Sequence, residues 1–447
     1  MHIILLSGGS GRRLWPLSNE IRSKQFIKFF KRTEHSVPMG AGDPDDRESM
    51  VQRVYRQIRS VDANADITIA TAKLQVSAIR NQLGANVDIS VEPCRRDTFP
   101  AIALSTAYLR DVRGISENDT VVVCPVDPYV GDGYFSMLVE LDEQAKRGEA
   151  NLVLMGIEPT YPSEKYGYII PESKSGISTV RMFKEKPDAK TAEQYIEQGA
   201  LWNGGVFAYR LRYVLDKARE LLGTSDYHEL FDRYETLRKI SFDYAVAERE
   251  QSIQVMRYVD EWKDIGTWNT LAEEMSEQTQ GNVILDETCE NVTVINELSL
   301  PVLCMGLRDM VVAVSGDGIL VSEREKSSYI KPYADKIAGQ IMYADKSWGT
   351  FTVLDVQNES MTICIRMQPG HRLTYHSHKY RDEVWTIVAG EGRSVVDGME
   401  QKVSAGDVIT MQAGCRHTLI ADTRMKVIEV QLGDKIDAVD KQVFNLE

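Results

Sequence analysis

No apolar stretch in the 447 residues approaches the roughly 20 needed to cross a bilayer, so no membrane-spanning helix is expected. Cysteine is scarce and scattered (Cys94, Cys124, Cys289, Cys304, Cys364, Cys415), with no C-x-x-C pair; most of the six sit in apolar surroundings and read as buried thiols of a reducing compartment. Positive charge is in deficit, 52 Lys and Arg against 66 Asp and Glu, for a net charge of −14. The broad basic face that nucleic acid demands is therefore missing, and no nucleic-acid partner is expected. A few local cations and a metal still suffice for a nucleotide. Low-complexity segments and long internal repeats are absent too. Met1-His2-Ile3 runs straight into an apolar segment, so no signal peptide and a cytoplasmic location are expected.

What remains is an ordinary globular composition, and its length argues for two or three domains. From 1 to 275, short apolar runs (Ile3–Leu6, Ile67–Ala70, Val121–Val123, Leu152–Met155) alternate with helical stretches such as Ser49–Arg59 and Pro100–Leu109. This β-α-β rhythm predicts an α/β domain with a mostly parallel sheet, and places ligands at the carboxyl ends of its strands. Between 276 and 340 the chain changes character. Val292-Thr293-Val294-Ile295, Pro301-Val302-Leu303 and Met310–Val314 are short β runs separated by turns, a small β connector with one or two coils of a β-helix. Residues 336–350 read as a linker. From 345 to 440, alternating runs punctuated by glycine predict a compact β-barrel.

The first apolar strand ends in Ser7-Gly8-Gly9-Ser10-Gly11-Arg12-Arg13-Leu14-Trp15-Pro16-Leu17-Ser18, followed by Lys24-Gln25. This is neither a Walker loop nor G-x-G-x-x-G. A glycine-rich turn lets backbone N–H groups converge on phosphate oxygens, and Arg12, Arg13 and Lys24 add fixed positive charge beside it. Asp127, in Cys124-Pro125-Val126-Asp127, and Asp264, in Trp262–Trp268, are carboxylates from distant segments that can hold one Mg²⁺.

The whole opening string resembles the signature of nucleoside-diphosphate-sugar pyrophosphorylases, and Leu-Trp-Pro-Leu-Ser is most similar to the mannose-1-phosphate guanylyltransferases. Further strings follow in family order up to about residue 272. Asp127 and Asp264 resemble the family's metal-binding aspartates, with Pro128 where this subfamily usually carries His. Phe183-Lys184-Glu185-Lys186-Pro187 resembles F-x-E-K-P, which implies that Glu185 meets sugar hydroxyls and Lys186 the sugar phosphate. Pro187 would end the strand there, so both could reach one pocket. Trp202-Asn203-Gly204-Gly205 resembles W-N-S-G and implies that Asn203 faces the sugar. Tyr166-Gly167-Tyr168 resembles the sugar-cradling G-Y-G loop, with Lys165 replacing its first glycine. Asp243 fits the family's I-D-Y-A-V helix start and equally a helix cap. Glu92–Ala101 resembles E-P-x-x-R-N-T-x-P-A, placing Arg96 and Asp97 near the nucleotide, with Asp97 where Asn is usual. Gly8, Gly9, Ser10, Gly11 and Arg12 complete the implied nucleotide site.

Farther on, Gly370, His376, His378, Glu383 and Gly390 fit G-x5-H-x-H-x4-E-x6-G without a gap, and Gly406, Gly414 and His417 fit the second half of the same pattern. This resembles the cupin double motif. His376 and His378 point to one face of a strand. With Glu383 and His417 they form a 3-His, 1-carboxylate set for Zn²⁺, Mn²⁺ or Fe²⁺. In bifunctional bacterial relatives the comparable domain is a phosphomannose isomerase whose motif reads Q-x-H, and Arg372, Lys379 and Arg381 could form its phosphate clamp here. An isomerase and a purely structural cupin both stay open.

The resemblance implies a Rossmann-like nucleotidyltransferase domain that joins GTP and α-D-mannose 1-phosphate with Mg²⁺ on Asp127 and Asp264. Arg13 and Lys24 would stabilise the reacting phosphates, and a homodimer is expected. The alternative keeps the chemistry but changes the substrates to dTTP or CTP and another hexose 1-phosphate. Ser23-Lys24-Gln25 favours that alternative, whereas Trp15 and the fused cupin oppose it.

Overall fold

The computed structural model describes residues 1–9, 12–32, 47–275, 277–337, 341–436 and 440–446. The chain forms two compact units: Met1–Gly9, Gln25–Val76 and Leu83–Gly266 make the first, and Ser10–Lys24, Ser77–Gln82 and Thr267–Glu447 the second.

The first unit is built on a nine-stranded sheet in the order Asp88–Glu92, Asp66–Ala72, His2–Leu6, Thr120–Pro125, Leu201–Arg210, Leu152–Ile157, Ile253–Tyr258, Ile177–Lys184, Tyr168–Pro171. The first four strands are parallel, as the β-α-β rhythm requires. Parallel pairing recurs where Ile253–Tyr258 joins Leu152–Ile157. The mostly parallel expectation is refined in the second half. There Leu201–Arg210 runs against both neighbours and Tyr168–Pro171 forms a hairpin with Ile177–Lys184. A short connection can only reverse a strand, whereas a helical crossover keeps it parallel. Helix Thr98–Asp111 buries ten of its fourteen residues, so its apolar composition all round marks it as a core helix. It packs with Ile4, Val121, Val123, Phe207 and Val255 in one core. Helix Met50–Val61 starts where Ser49 and Gln52 cap each other's backbone N–H groups.

In the second unit, Thr279–Gln280, Thr293–Asn296 and Met310–Ser315 pair in parallel, and so do Val283–Leu285 and Val302–Cys304. Successive parallel coils of this kind give the connector a β-helix character. Val292, Val294, Cys304, Val312 and Val314 fill its interior. Next come two antiparallel sheets, of six and five strands, whose inward side chains (Ile363, Trp385, Met411, Val427 against Val403, Leu419, Ala421) share one core. One part of the expected linker is a strand instead: Tyr343–Lys346 pairs with Gly349–Val356 as the outermost member of the six-stranded sheet. Its Tyr-Ala-Asp-Lys sequence is too short and polar to announce itself, and the pairing partner decides it. No described helix is long and apolar enough to cross a membrane.

Candidate functional site

The strand Thr120–Pro125 ends beside the opening strand, where Val126 N donates to Leu6 O at 3.1 Å. After Asp127 the chain enters Pro128–Val130, which pairs antiparallel with Trp262–Asp264 in the register Trp262–Val130, Lys263–Tyr129, Asp264–Pro128. Asp264 therefore sits across from the residue that follows Asp127, and 137 positions of sequence separation close into neighbouring acids. Both are half-buried. The Tyr166 phenol registers the pair: burial raises its pKa first, the charge on Asp264 next, and Asp127 adds to them. Tyr166 belongs to an aromatic wall that motif reading did not single out. Its ring lies 4.9 Å from Trp202 and 5.4 Å from Trp262, and Tyr161 lies 5.0 Å from Trp202. The Trp262 Nε1 is buried with no hydrogen-bond partner. The residues were visible in the sequence, but only the fold gathers them.

Next to this wall, Gly167, Glu185, Lys186, Asn203 and Asp243 come together. A Cβ at Gly167 would displace Glu185 Oε2 and stand 3.3 Å from Asn203 Cβ, so glycine leaves room for the Glu185 carboxylate. Asn203 N donates to Gly167 O at 2.8 Å, and Asn203 Oδ1 accepts from Gly205 N at 3.1 Å. Strand Ile177–Lys184 stops one residue before Glu185, and the chain turns at Lys186, whose φ is +46°. The expected bend is thus made by Lys186 itself, immediately before Pro187, and its Nζ folds back to Glu185 Oε1 at 2.5 Å. Glu185 is buried and its Oε2 has no partner. A buried carboxylate oxygen without a donor is costly, and a ligand hydroxyl would relieve it.

Asp243 does not cap its helix. Its carboxyl accepts from Asn203 Nδ2 at 2.6 Å, and no side-chain cap bond is made at that helix start. Burial, then the charge on Glu185, pushes Asp243 up to about 7. The folded state keeps a proton that the unfolded chain releases near pH 4, so folded-state stability falls as pH rises from about 4 to 7 and levels off above that. Asp243→Asn is expected to shrink this fall, read as the drop in urea midpoint between pH 5 and pH 8. An equal drop in both proteins would show that Asp243 titrates normally.

Gly8 and Gly9 leave the first strand, Gly9 with a φ of +129° that disfavours any side chain. A Cβ at either position would meet nothing within 4 Å, so the space beside the turn is open. The carbonyls are held from behind: Gly9 O accepts from Arg95 Nη2 at 2.8 Å and Gln75 Nε2 at 3.3 Å, and Ser7 O from Gln25 Nε2 at 3.2 Å. The structure thus brings Arg95, not Arg96, to this turn. The Arg96 guanidinium donates to the carbonyls of Tyr234 and Glu235. Two adjacent arginines in a loop give no periodicity from which to choose between them. Asp97 is exposed, has a φ of +71°, and accepts from Thr98 N at 2.9 Å at the start of its helix. Positive φ favours Asn and Asp among residues with side chains, which gives the residue type here a backbone reason as well. Ser10 and Gly11 lie outside the described residues. In the second unit, Arg12 pairs with Glu20 at 2.7 Å and Asp335 at 3.5 Å, Arg13 is exposed, and Lys24 is half-buried at the start of a 3-10 turn.

In the barrel, His376, His378, Glu383 and His417 converge, with one ligand atom from each lying within 4.8 Å of the others. Register explains it: His376 pairs directly with His417, while Glu383 sits on the facing sheet opposite Gln431. Each imidazole commits Nδ1 to a backbone carbonyl, His376 to Thr374 at 2.5 Å, His417 to Cys415 at 3.0 Å and His378 to Asp440. That turns each Nε2 inward, where His378 Nε2 meets Arg381 Nη2 at 3.0 Å. Glu383 Oε2 and His417 Nε2 lie 3.1 Å apart, yet neither has hydrogen-bond geometry to any partner. The other carboxylate oxygen is held at 3.2 Å by both Arg381 Nε and Gln431 Nε2. Burial and the nearby Lys441 push His376 down to about 3, so it is neutral at physiological pH, as ligation requires. Arg381 is buried against Glu383 and His378 (Nη2 to Nε2, 3.0 Å), whereas Arg372 and Lys379 are exposed. The expected phosphate clamp is therefore not gathered: Arg381 belongs to the histidine cluster. Glu429 and Gln431, missed by motif reading, face the same interior, and burial with the Glu383 charge raises Glu429 to about 7.

An α/β sheet with two acids beyond a strand end is followed along the chain by parallel β-coils and a double-sheet barrel. The chain belongs to the nucleotidyl transferase family, whose profile matches residues 2–281. A cupin domain profile matches residues 364–431. Among curated relatives, the xanthan biosynthesis protein XanB of Xanthomonas campestris pv. campestris (strain B100) is 29% identical, covering 98% of this chain and 96% of that protein. The mannose-1-phosphate guanylyltransferase of Escherichia coli (strain K12) is 27% identical, covering 98% and 97%. A solved structure from Thermus thermophilus, described as a mannose-1-phosphate geranyltransferase, aligns with a TM-score of 0.62 at 25% identity, covering 76% of this chain and 99% of that one.

Proposed function

We propose that this chain transfers GMP from GTP to α-D-mannose 1-phosphate, releasing pyrophosphate. The observation that carries the reading is the register that sets Asp264 beside the turn at Asp127, next to a pocket with an unanswered carboxylate oxygen on Glu185. Relatives bearing the name mannose-1-phosphate guanylyltransferase match from end to end, which supports the choice of base and sugar.

A phosphate oxygen of the sugar 1-phosphate attacks the α-phosphorus of GTP in line, the bond from that phosphorus to the bridging β oxygen breaks, and its electron pair leaves with pyrophosphate. The nucleophile is already anionic, so no general base is required, and the barrier lies in bringing two anions together. Asp127 and Asp264 would hold Mg²⁺, which supplies charge neutralisation at the phosphates when bound. Glu185 accepts sugar hydroxyls, Lys186 pairs with the sugar phosphate, and Asn203, fixed by Asp243, lines the same pocket. Gly8 and Gly9, with Ser10, Gly11 and Arg12, contact the triphosphate. Arg13 and Lys24 stabilise charge on the transferring phosphorus and the departing pyrophosphate. Pyrophosphate release from each nucleoside triphosphate paired with several sugar 1-phosphates tests the assignment. GTP with mannose 1-phosphate is expected to lead by about tenfold or more, about 1.4 kcal/mol; equal release with dTTP or CTP would move the assignment to a sister enzyme.

For the barrel we propose a divalent metal centre on His376, His378, Glu383 and His417, with Zn²⁺, Mn²⁺ and Fe²⁺ as candidates. Three imidazoles, that of His376 neutral, and an unpartnered carboxylate oxygen on Glu383 gathered within 4.8 Å favour this over a purely structural barrel. On such a centre rests the isomerase reading, interconversion of mannose 6-phosphate and fructose 6-phosphate, while the ungathered phosphate clamp favours the structural alternative.

A further inference from the structure

The loop that carries Arg13 and Lys24 folds as part of the second unit, where the β connector and the start of the barrel hold it. Asn19 first closes the loop on itself. Its Oδ1 accepts from Ile21 N at 3.0 Å and Arg22 N at 2.8 Å, and its own N–H donates to Arg22 O at 2.9 Å. This folding presents Asn19 Nδ2 to Asp317 Oδ2, 2.9 Å away in the turn between Met310–Ser315 and Gly318–Glu323. The other Asp317 oxygen accepts from Met342 N at 2.8 Å, one residue before the barrel's first strand. In the same turn, Ser315 Oγ donates to Pro16 O at 2.7 Å. Arg22 makes a parallel tie: Nη1 meets Glu297 Oε2 at 2.8 Å, and the guanidinium lies over the Tyr343 ring, 4.9 Å from its centroid. Trp15 presses on Gly318, where a Cβ would come within 2.5 Å of the indole, and Trp15 O accepts from Trp268 Nε1 at 3.0 Å.

Within the connector itself Ser315 Oγ accepts from Asp317 N at 3.1 Å, which shapes the turn that meets the loop. The connector's hairpin closes by backbone pairing from Met310–Glu323 to Ser315–Gly318, and its interior is aliphatic. The side chains of Asp317, Asn19 and Arg22 add the polar ties that hold the loop. We propose that Asp317 and Arg22 are positioning residues for nucleotidyl transfer: from the connector and the first barrel strand they fix the shape of the 12–24 loop and so the placement of Arg13 and Lys24. This rests on the reading above that those two cations meet the triphosphate. A misplacement of about 1 Å at such a group costs as much as about 10²-fold in rate, which gives remote ties of this kind kinetic weight.

Asp317→Asn in the full chain tests it, because the carboxamide can still accept from Met342 N but then turns an NH₂ toward the Asn19 NH₂. Arg22→Met tests the second tie and Arg22→Lys its rescue. Expected are a fall of about tenfold or more in kcat/KM for the nucleoside triphosphate, an unaltered KM for the sugar 1-phosphate, faster amide exchange at Ile21 and Arg22, an unaltered melting temperature, and partial recovery in Arg22→Lys. Arg13→Ala runs alongside. If Arg13→Ala is crippled while Asp317→Asn and Arg22→Met keep native kinetics and native exchange, this inference is overturned and the catalytic reading survives. If Arg13→Ala is fully active, the catalytic reading fails and the inference falls with it. A melting temperature lowered as much as the activity would assign these residues to stability alone and also overturn it.

Discussion

Asp264→Asn is expected to lower pyrophosphate release by about 10²-fold or more, the scale on which losing one charge-stabilising group in a water-poor site acts. The substitution keeps the shape and volume of the side chain and the strand pairing of Trp262–Asp264 with Pro128–Val130, which runs through the backbone. What it removes is one of the two negative charges proposed to hold Mg²⁺, so the apparent Mg²⁺ requirement should shift to much higher concentration rather than vanish. Asp127→Asn should behave alike. The double variant should cost little more than either single, because half an ion site is already ineffective. Near-additive losses, with each variant keeping a normal Mg²⁺ response, would show that the two acids act separately. Any interconversion of mannose 6-phosphate and fructose 6-phosphate should persist in Asp264→Asn, since that chemistry is assigned to other residues.

Why the acids were legible and other parts of the site were not follows from how each residue gets its place. Asp127 ends an apolar β run, and strand ends are where an α/β sheet binds ligands, so its position could be read from hydrophobic patterning alone. His376, His378, Glu383 and His417 follow a spacing set by strand period and turn length, and the structure closes that spacing into one cluster. Asp243 was ambiguous because a helix cap and a buried acceptor look the same in one dimension; the decision lies with Asn203, forty residues away in sequence. Arg95 and Arg96 could not be told apart, since the φ of +71° at Asp97 and the carbonyls of Tyr234 and Glu235 settle which guanidinium turns where. The strand at Tyr343–Lys346 escaped for a similar reason: four mostly polar residues become a sheet edge only when Gly349–Val356 supplies the partner. Local pattern fixes what a segment can be, and contacts distant in sequence fix which option it takes.

The histidine cluster should behave as a metal centre with a graded response to substitution. His378→Ala or Glu383→Ala removes a donor outright, and bound metal measured after dialysis against chelator should fall from stoichiometric to background. Gln431→Leu removes no donor. It releases the hydrogen bond from its Nε2 to Glu383 Oε1, the oxygen that lies 3.1 Å from His378 Nε2, and a second to Glu429 Oε1, leaving Arg381 to hold Glu383. A supporting contact of this kind is worth about 10- to 100-fold in affinity, so that variant should still bind metal at high concentration and lose it early in a chelator titration. The order matters more than any single value, because a barrel that holds its imidazoles only for packing would bind nothing in the native protein and show no gradation. Melting should report the same order: metal that binds only the folded barrel stabilises it in proportion to the logarithm of affinity. The native protein should therefore melt at a lower temperature in chelator, Gln431→Leu should lose part of that difference, and Glu383→Ala should show none. Equal melting of all three with and without chelator would leave the cluster as buried polar filling and remove the basis for a second activity in this chain.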